Sequence, residues 1–309
     1  MSIYEHARHF AGRPVRDWSS ESEYDPARIC YRLRLSWEEF DTGAHWTDKF
    51  AAFLEQPGVE QSDCLVVGLW HFEGGASDRV VEALVSARQR LPRLRALFLG
   101  DIVSEESEIS WINQGDVSPL LNAYPDLEHF RVRGGMGLQL GALRHNHLKS
   151  LIIESGGLPA NVVREVAEAT LPELEHLELW LGTEHYGGDA RVEDLAGILS
   201  GQRFPNLYYL GLRDSDIADQ IAAAIVEAPI LDRIRVLDLS MGTLGDEGAA
   251  ALLHSPAVAK LEFLDIHHHY CSPHMVEQLG KVGTKVDSGD PQEPYQWDDH
   301  QSRYVAVGE

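Results

Sequence analysis

Long apolar runs are missing from this sequence. No stretch reaches the roughly 18 consecutive apolar residues a membrane span requires, which excludes a transmembrane helix and a membrane partner. The opening residues 1–16 are polar, with His and Arg but no apolar stretch and no small-residue cleavage site, so no secretory signal is read and a cytoplasmic protein is expected. Cysteine is scarce: Cys30, Cys64 and Cys271 are odd in number, far apart and without a CxxC pair. That usage suits a reducing compartment and argues against a disulfide scaffold. Positive charge is also in short supply, with 26 Lys and Arg against 49 Asp and Glu and a formal charge of -23. Such a field repels a phosphate backbone, so nucleic acid is not expected as a partner. A basic protein or peptide, or a cation, fits it better, although acidity also serves plain solubility.

Signatures of catalysis are absent too. The sequence holds no GxSxG elbow, no P-loop, no GxGxxG after a strand and no Cys/His pair in recognisable context. No catalytic residue, no cofactor and no enzymatic activity are therefore predicted. The pairs Gly74-Gly75 and Gly187-Gly188 lack the lysine of a phosphate loop and read as turns.

What is present is a repeat. The pattern L-x-x-L-x-L begins at Leu94, Leu127, Leu148, Leu174, Leu207, Ile234 and Leu261, in steps of 21 to 33 residues, and a weaker copy stands at Cys64/Val67/Leu69. These steps approach the roughly 20 to 29 residue leucine-rich unit. Proline precedes four of the copies, at Pro92, Pro125, Pro172 and Pro205, where it marks the entry into a strand. Between copies the apolar spacing becomes helical, as in Val80, Val81, Ala83, Leu84 and Ala87. Each unit is thus a strand followed by a helix. Parallel strands stack about 4.8 Å apart and helices about 10 Å apart, so the strands must line the inside of a bend. The predicted fold is an α/β right-handed leucine-rich-repeat solenoid, with parallel strands on the concave side and helices on the convex side. It forms a single domain over 1–309, with an N-terminal cap at 1–60, about eight repeats at 61–285 and a C-terminal cap or tail at 286–309. The caps are expected to hold a strand over 28–35, a short helix from Trp46 to Leu54 and a last strand at 304–307, since an uncapped solenoid exposes its core.

Residues 60–285 resemble ribonuclease-inhibitor-like repeats. The resemblance is carried by the helix-opening run Leu244-Gly245-Asp246-Glu247-Gly248-Ala249-Ala250-Ala251-Leu252, in which Asp246 is placed to cap the helix. The whole chain also resembles a bacterial cytoplasmic leucine-rich-repeat family of unassigned function. That likeness rests on Glu108-Ile109-Ser110-Trp111-Ile112, on Leu179-Trp180-Leu181-Gly182 with Tyr186-Gly187-Gly188-Asp189, and on the ending Arg303-Tyr304-Val305-Ala306-Val307. It implies a fold and no activity. Where these repeats usually place Asn or Cys after the strand, this chain has Gly135, Gly156, Gly182, Ser215, Gly242 and His269. The loop amides must find other acceptors.

Function is therefore sought on the concave face. Residues alternating with the leucines stack into rows, the middle one Phe98, Arg131, Ile152, Glu178, Gly211, Asp238 and Asp265. The next runs through Trp70, Gly100, Arg133, Glu154, Trp180, Arg213, Ser240 and His267. Trp and Arg dominate interface hot spots. A protein or peptide partner is accordingly placed on Trp70, Arg131, Arg133, Glu178, Trp180, Arg213 and Asp214. Trp111 and Tyr186 extend the site from inserts at 101–116 and 183–191 that rise over one rim. Ordinary packing is the competing reading for Trp70 and Trp180, and loop anchoring for Trp111. The alternative of another class is a metal-dependent enzyme or enzyme subunit using Asp238, Asp265 and His267. Two carboxylates on adjacent strands need a cation, an arginine or a proton between them, but the spacing matches no zinc signature.

Overall fold

The computed structural model describes residues 3–21, 24–72, 74–297 and 300–308. One open sheet holds twelve strands in sequence order: β1 (His9–Phe10), β2 (Arg13–Asp17), β3 (Cys30–Leu33), β4 (Cys64–Val67), β5 (Ala96–Leu99), β6 (His129–Arg133), β7 (Ser150–Glu154), β8 (His176–Gly182), β9 (Tyr209–Ser215), β10 (Val236–Asp238), β11 (Phe263–Asp265) and β12 (Lys285–Asp287). Strands β1 and β2 form an antiparallel hairpin, and every later neighbour pair is parallel. The eight predicted repeat strands are β4 to β11. Their leucines fall in register across the sheet, as in Leu97↔Phe130, Leu151↔Leu177 and Leu210↔Leu237.

Helices return the chain along the other layer: α1 (Trp37–Asp41), α2 (Trp46–Leu54), α3 (Asp78–Ser86), α4 (Ser118–Ala123), α5 (Ala160–Ala167), α6 (Ala196–Leu199), α7 (Ala218–Ile225), α8 (Asp246–His254) and α9 (Pro273–Leu279). The main core lies between the layers, where strand residues such as Leu97, Leu151, Leu210 and Leu264 meet helix residues such as Leu84, Val163, Ile221 and Leu252. This is the leucine-rich-repeat solenoid, with an inner sheet face turned away from the helices. None of its helices among the described residues is long and apolar enough to cross a membrane.

The loop amides that lack an asparagine ladder are satisfied by acids from neighbouring repeats. Glu165 accepts from Leu140 and Gly141 amides, Asp189 from Ala160, Asp219 from Gly245 and Gly248, and Asp246 from Ser272. This corrects the assignment of Asp246 as the cap of its own helix. Asp246 is the first residue inside α8, and Gly245 is the residue before it. From that position its carboxylate reaches the next repeat, while Asp219 of the preceding repeat caps α8.

Two further expectations are corrected. Cys30 and Cys64 are joined in a disulfide, not left as separate thiols, and only Cys271 is free. The pairing Tyr31↔Leu65 puts the two cysteines side by side on β3 and β4, so one repeat of chain brings together what looks distant in sequence. Residues 304–307 are not a strand of the sheet. After a hairpin of β13 (Tyr295–Trp297) and β14 (His300–Ser302), the chain runs as an irregular strap, bent at Ala306, past the ends of several strands.

Candidate protein-binding face

The predicted middle row exists in register, with Phe98, Arg131, Ile152, Glu178, Gly211, Asp238 and Asp265 following one another across β5 to β11; of the second row, Arg133 stands opposite Glu154 and Trp180 opposite Arg213. Much of this face is covered by the chain itself. At the N-terminal end, Phe10 packs with Cys30, Cys64, Val66, Ala96 and Phe98, closing the inner side of β3 to β5. Beside it lies an ion-pair network. Arg32 bonds Asp17 at 2.6 Å and Asp101 at 2.8 Å, while Arg34 bonds Asp17 and Glu106. Asp101 also accepts the Ala7 amide and pairs with His6. Burial opposes ionisation of Asp101, but His6, Arg133 and Arg32 outweigh it and hold the carboxyl well below its usual range.

The predicted contact residues separate into two groups. Trp70 is buried in the main core and donates its indole N–H to Gly75 O at 2.7 Å. Strand β4 ends at Val67 and Gly68 follows, so the alternation that would aim Trp70 inward is lost. Arg133 is buried, bonded to Glu154 at 2.6 Å and to Ile102 O, and Arg131 shares Glu154 while lying 4.5 Å from the Phe98 ring. Trp180 is only 7% exposed, covered by Ile109, Met241, Ala306 and Val307. Its indole donates to Glu178 at 2.6 Å, and Glu178 also accepts from Arg213 at 2.8 Å. Burial raises the Glu178 carboxyl, yet His176, Arg213 and Trp180 bring it down to about 2. Asp214 is fully buried and accepts the Val307 amide at 2.8 Å. By contrast Trp111 is 63% exposed; Ile109, not Trp111, anchors that insert. Tyr186 is half-buried, edge-on to His185.

Asp238, Asp265 and His267 are brought onto adjacent strands, but their polar atoms are engaged. Arg213 lies 3.2 Å from Asp238, and the Tyr209 hydroxyl and Ser240 amide donate to the same carboxylate. Asp265 bonds His267 at 2.8 Å. Burial pushes the Asp238 carboxyl up, while the Asp265 hydrogen bond raises the His267 imidazole. The arginine takes the charge-balancing place a cation would need. Among the described residues no group of three or more His, Cys, Asp or Glu side chains converges as ligands.

An open band remains over β6 to β12. His129, Arg131, Ser150, Ile152, His176, Tyr209, Val236, Phe263, Asp265 and His267 are all half-exposed there. His176 stacks on Tyr209 at 3.9 Å, and Lys285 lies 5.1 Å above Phe263. The aromatic and histidine row, His129, His176, Tyr209, Val236 and Phe263, was missed at the sequence level. Its signal was available one residue before the second leucine of each copy, on the same inward phase.

A Bacteroides fragilis protein of known crystal structure superposes on this chain with a TM-score of 0.83, at 33% identity, covering 91% of this chain and 78% of that one. The chain belongs to the same family. No family model and no curated protein matches it. The two proteins share the architecture described here over 91% of this chain. Two further solved structures align with it: a Listeria monocytogenes internalin (16% identity, 66% of this chain and 69% of that one, TM-score 0.29) and TLR13 in a complex with single-stranded RNA (17%, 79% and 35%, TM-score 0.38). Neither superposes closely enough to extend the argument.

Proposed function

We propose that the chain is a protein-binding module whose partner lies along the open inner band over β6 to β12 and reaches the rim at Trp111 and Tyr186. The observation that carries this reading is the continuous row of half-exposed His129, Ser150, His176, Tyr209, Val236 and Phe263 held on hydrogen-bonded strands, with Ile152 beside it in the next row. Rigid strands cost little ordering on binding, and aromatic residues contribute large contact area. Glu178, Asp238 and Asp265 flank the row, and with a chain charge of -23 they favour a basic protein or peptide and disfavour a nucleic-acid backbone. Arg131, Arg213 and the acids they hold fix the shape of the band. Capture from a lysate of its own cell tests the reading: Tyr209→Ala with Phe263→Ala should abolish recovery of the partner at unchanged circular dichroism. Full recovery by the folded double variant would remove the site from this face.

A further inference from the structure

The strap formed by residues 303–308 is seated as a bound peptide would be. Its Ala306 amide donates to Met241 O at 2.7 Å, its Val307 amide donates to Asp214, and its Gly308 carbonyl accepts from Ser110. Tyr304 exchanges hydrogen bonds with the Tyr270 hydroxyl through both its amide and its carbonyl. The apolar side chains of Ala306 and Val307 are buried against Trp180 and Ile109. Main-chain bonds supply affinity and side-chain pockets supply selectivity, which is how peptides are recognised.

The trough is built at a conformational cost. Asp214, Met241 and His268 occupy one equivalent position in three successive repeats, four residues after the second leucine of each copy, and all three have positive φ, at 50°, 67° and 55°. Gly134 fills that position in an earlier repeat, at φ 104°. Glycine adopts this region freely and Asp and His tolerate it, whereas a residue such as Met is strained there by about 1–2 kcal/mol. The three non-glycine residues are those that touch the strap: Asp214 at Val307, Met241 at Ala306 and His268 at Tyr304 O. Asp214 is also fully buried, and its second carboxylate oxygen has no hydrogen-bond partner among the described residues. Strained backbone clusters at ligand clamps and switch regions, and a buried acceptor left over calls for an explanation.

We propose that this trough is a peptide-binding site, occupied in cis by the strap, which a partner protein can enter with a segment of the same pattern. That segment carries a basic residue and an aromatic ahead of a valine-alanine-valine run. The basic residue is inferred from Arg303, which pairs with Asp219 at 2.9 Å. The trough borders Tyr186 on the rim, whereas, among the described residues, Tyr209 and Phe263 of the open band make no contact with the strap, so loss of capture on Tyr209→Ala with Phe263→Ala and loss of peptide binding on Asp214→Ala are separate readouts.

The test uses the full chain with Val307→Asp, which sets a carboxylate in the apolar cluster with Trp180 and Ile109 and expels the strap. A fluorescent peptide with the sequence of residues 301–308 is titrated by anisotropy. Linked segments compete at millimolar effective concentration, so the peptide should bind the variant at least tenfold tighter than the unaltered chain, and Asp214→Ala added to it should remove that gain. In the unaltered chain, the Ala306 and Val307 amides should exchange with solvent faster than those of Leu237 and Leu264. A folded variant without binding, binding indifferent to Asp214→Ala, a variant that unfolds, or equal amide protection would each overturn the proposal. Concentration-dependent dimers exchanging straps would replace the partner with a second copy and equally refute it.

Discussion

Two tryptophans assigned to the same role have opposite fates. Trp180 is enclosed by Ile109, Met241, Ala306 and Val307 with its indole bonded to Glu178, and Arg213 stands 5.4 Å from its ring. Truncating a buried aromatic costs about 3–5 kcal/mol, so Trp180→Ala should lower the unfolding free energy obtained from urea denaturation by an amount of that order. Trp111→Ala should leave it within about 0.5 kcal/mol, as for exposed positions. A Trp180→Ala penalty below about 1 kcal/mol would show that the strap does not close over the ring. That Trp180 faces inward was legible, because alternation with Leu177, Leu179 and Leu181 decides its side of the strand. Its burial was not. The covering residues come from 71 residues upstream and from 61 to 127 downstream, and periodicity carries no information about which distant segment returns to a face. Trp70 failed differently: Gly68 ends the strand, and the alternation counted from Cys64 no longer applies beyond it.

Between elements, the unit of cohesion is one repeat fastening the next. Asp219 in α7 accepts the Gly245 and Gly248 amides at the start of α8 and also holds Arg303 of the strap. Removing a capping acceptor costs about 0.5–2 kcal/mol. Asp219→Ala should therefore lower stability by roughly 1–2 kcal/mol, and Asp219→Asn, which keeps an amide acceptor, by less. Equal losses in the two variants, measured by thermal melting, would assign the effect to Arg303 and not to the cap. The helix-opening run at 244–252 was readable as a helix start, since its composition and spacing belong to one repeat. Which acid caps it was not, because the acceptor sits a repeat away. The Cys30–Cys64 bond was hidden for the converse reason: the weak first strand left β3 unaligned with β4, so the register that makes the cysteines neighbours was not in hand.

At the scale of the whole molecule, the solenoid is closed from both ends of the chain. The N-terminal segment crosses β3 to β5 and reaches the same insert as the strap, with the Ile3 carbonyl accepting the Ser104 amide and Ile3 packing beside Trp180, Ala306 and Val307. His6 fastens that crossing. Its imidazole is 3.0 Å from Asp101 O and within ion-pair distance of Asp101 and Glu106, with Arg32 and Arg34 as the facing positive charges. Burial lowers the His6 pKa, but the bonds to Asp101 and Glu106 prevail and lift it from 6.5 to about 9. A group whose folded pKa is raised binds its proton more tightly in the native state. The stability it supplies is complete below pH about 6.5 and is lost as pH rises through about 9. His6→Gln removes that contribution. The unaltered chain should melt about 2–4 °C above the variant at pH 6, the shift that roughly 1 kcal/mol produces in a chain of this size, and the gap should close by pH 9.5. A gap independent of pH across this window would mean that His6 is neutral in the folded chain. The N-terminal crossing would then be held by Ala7, Asp101 and Arg32 together with Ile3 and Phe10.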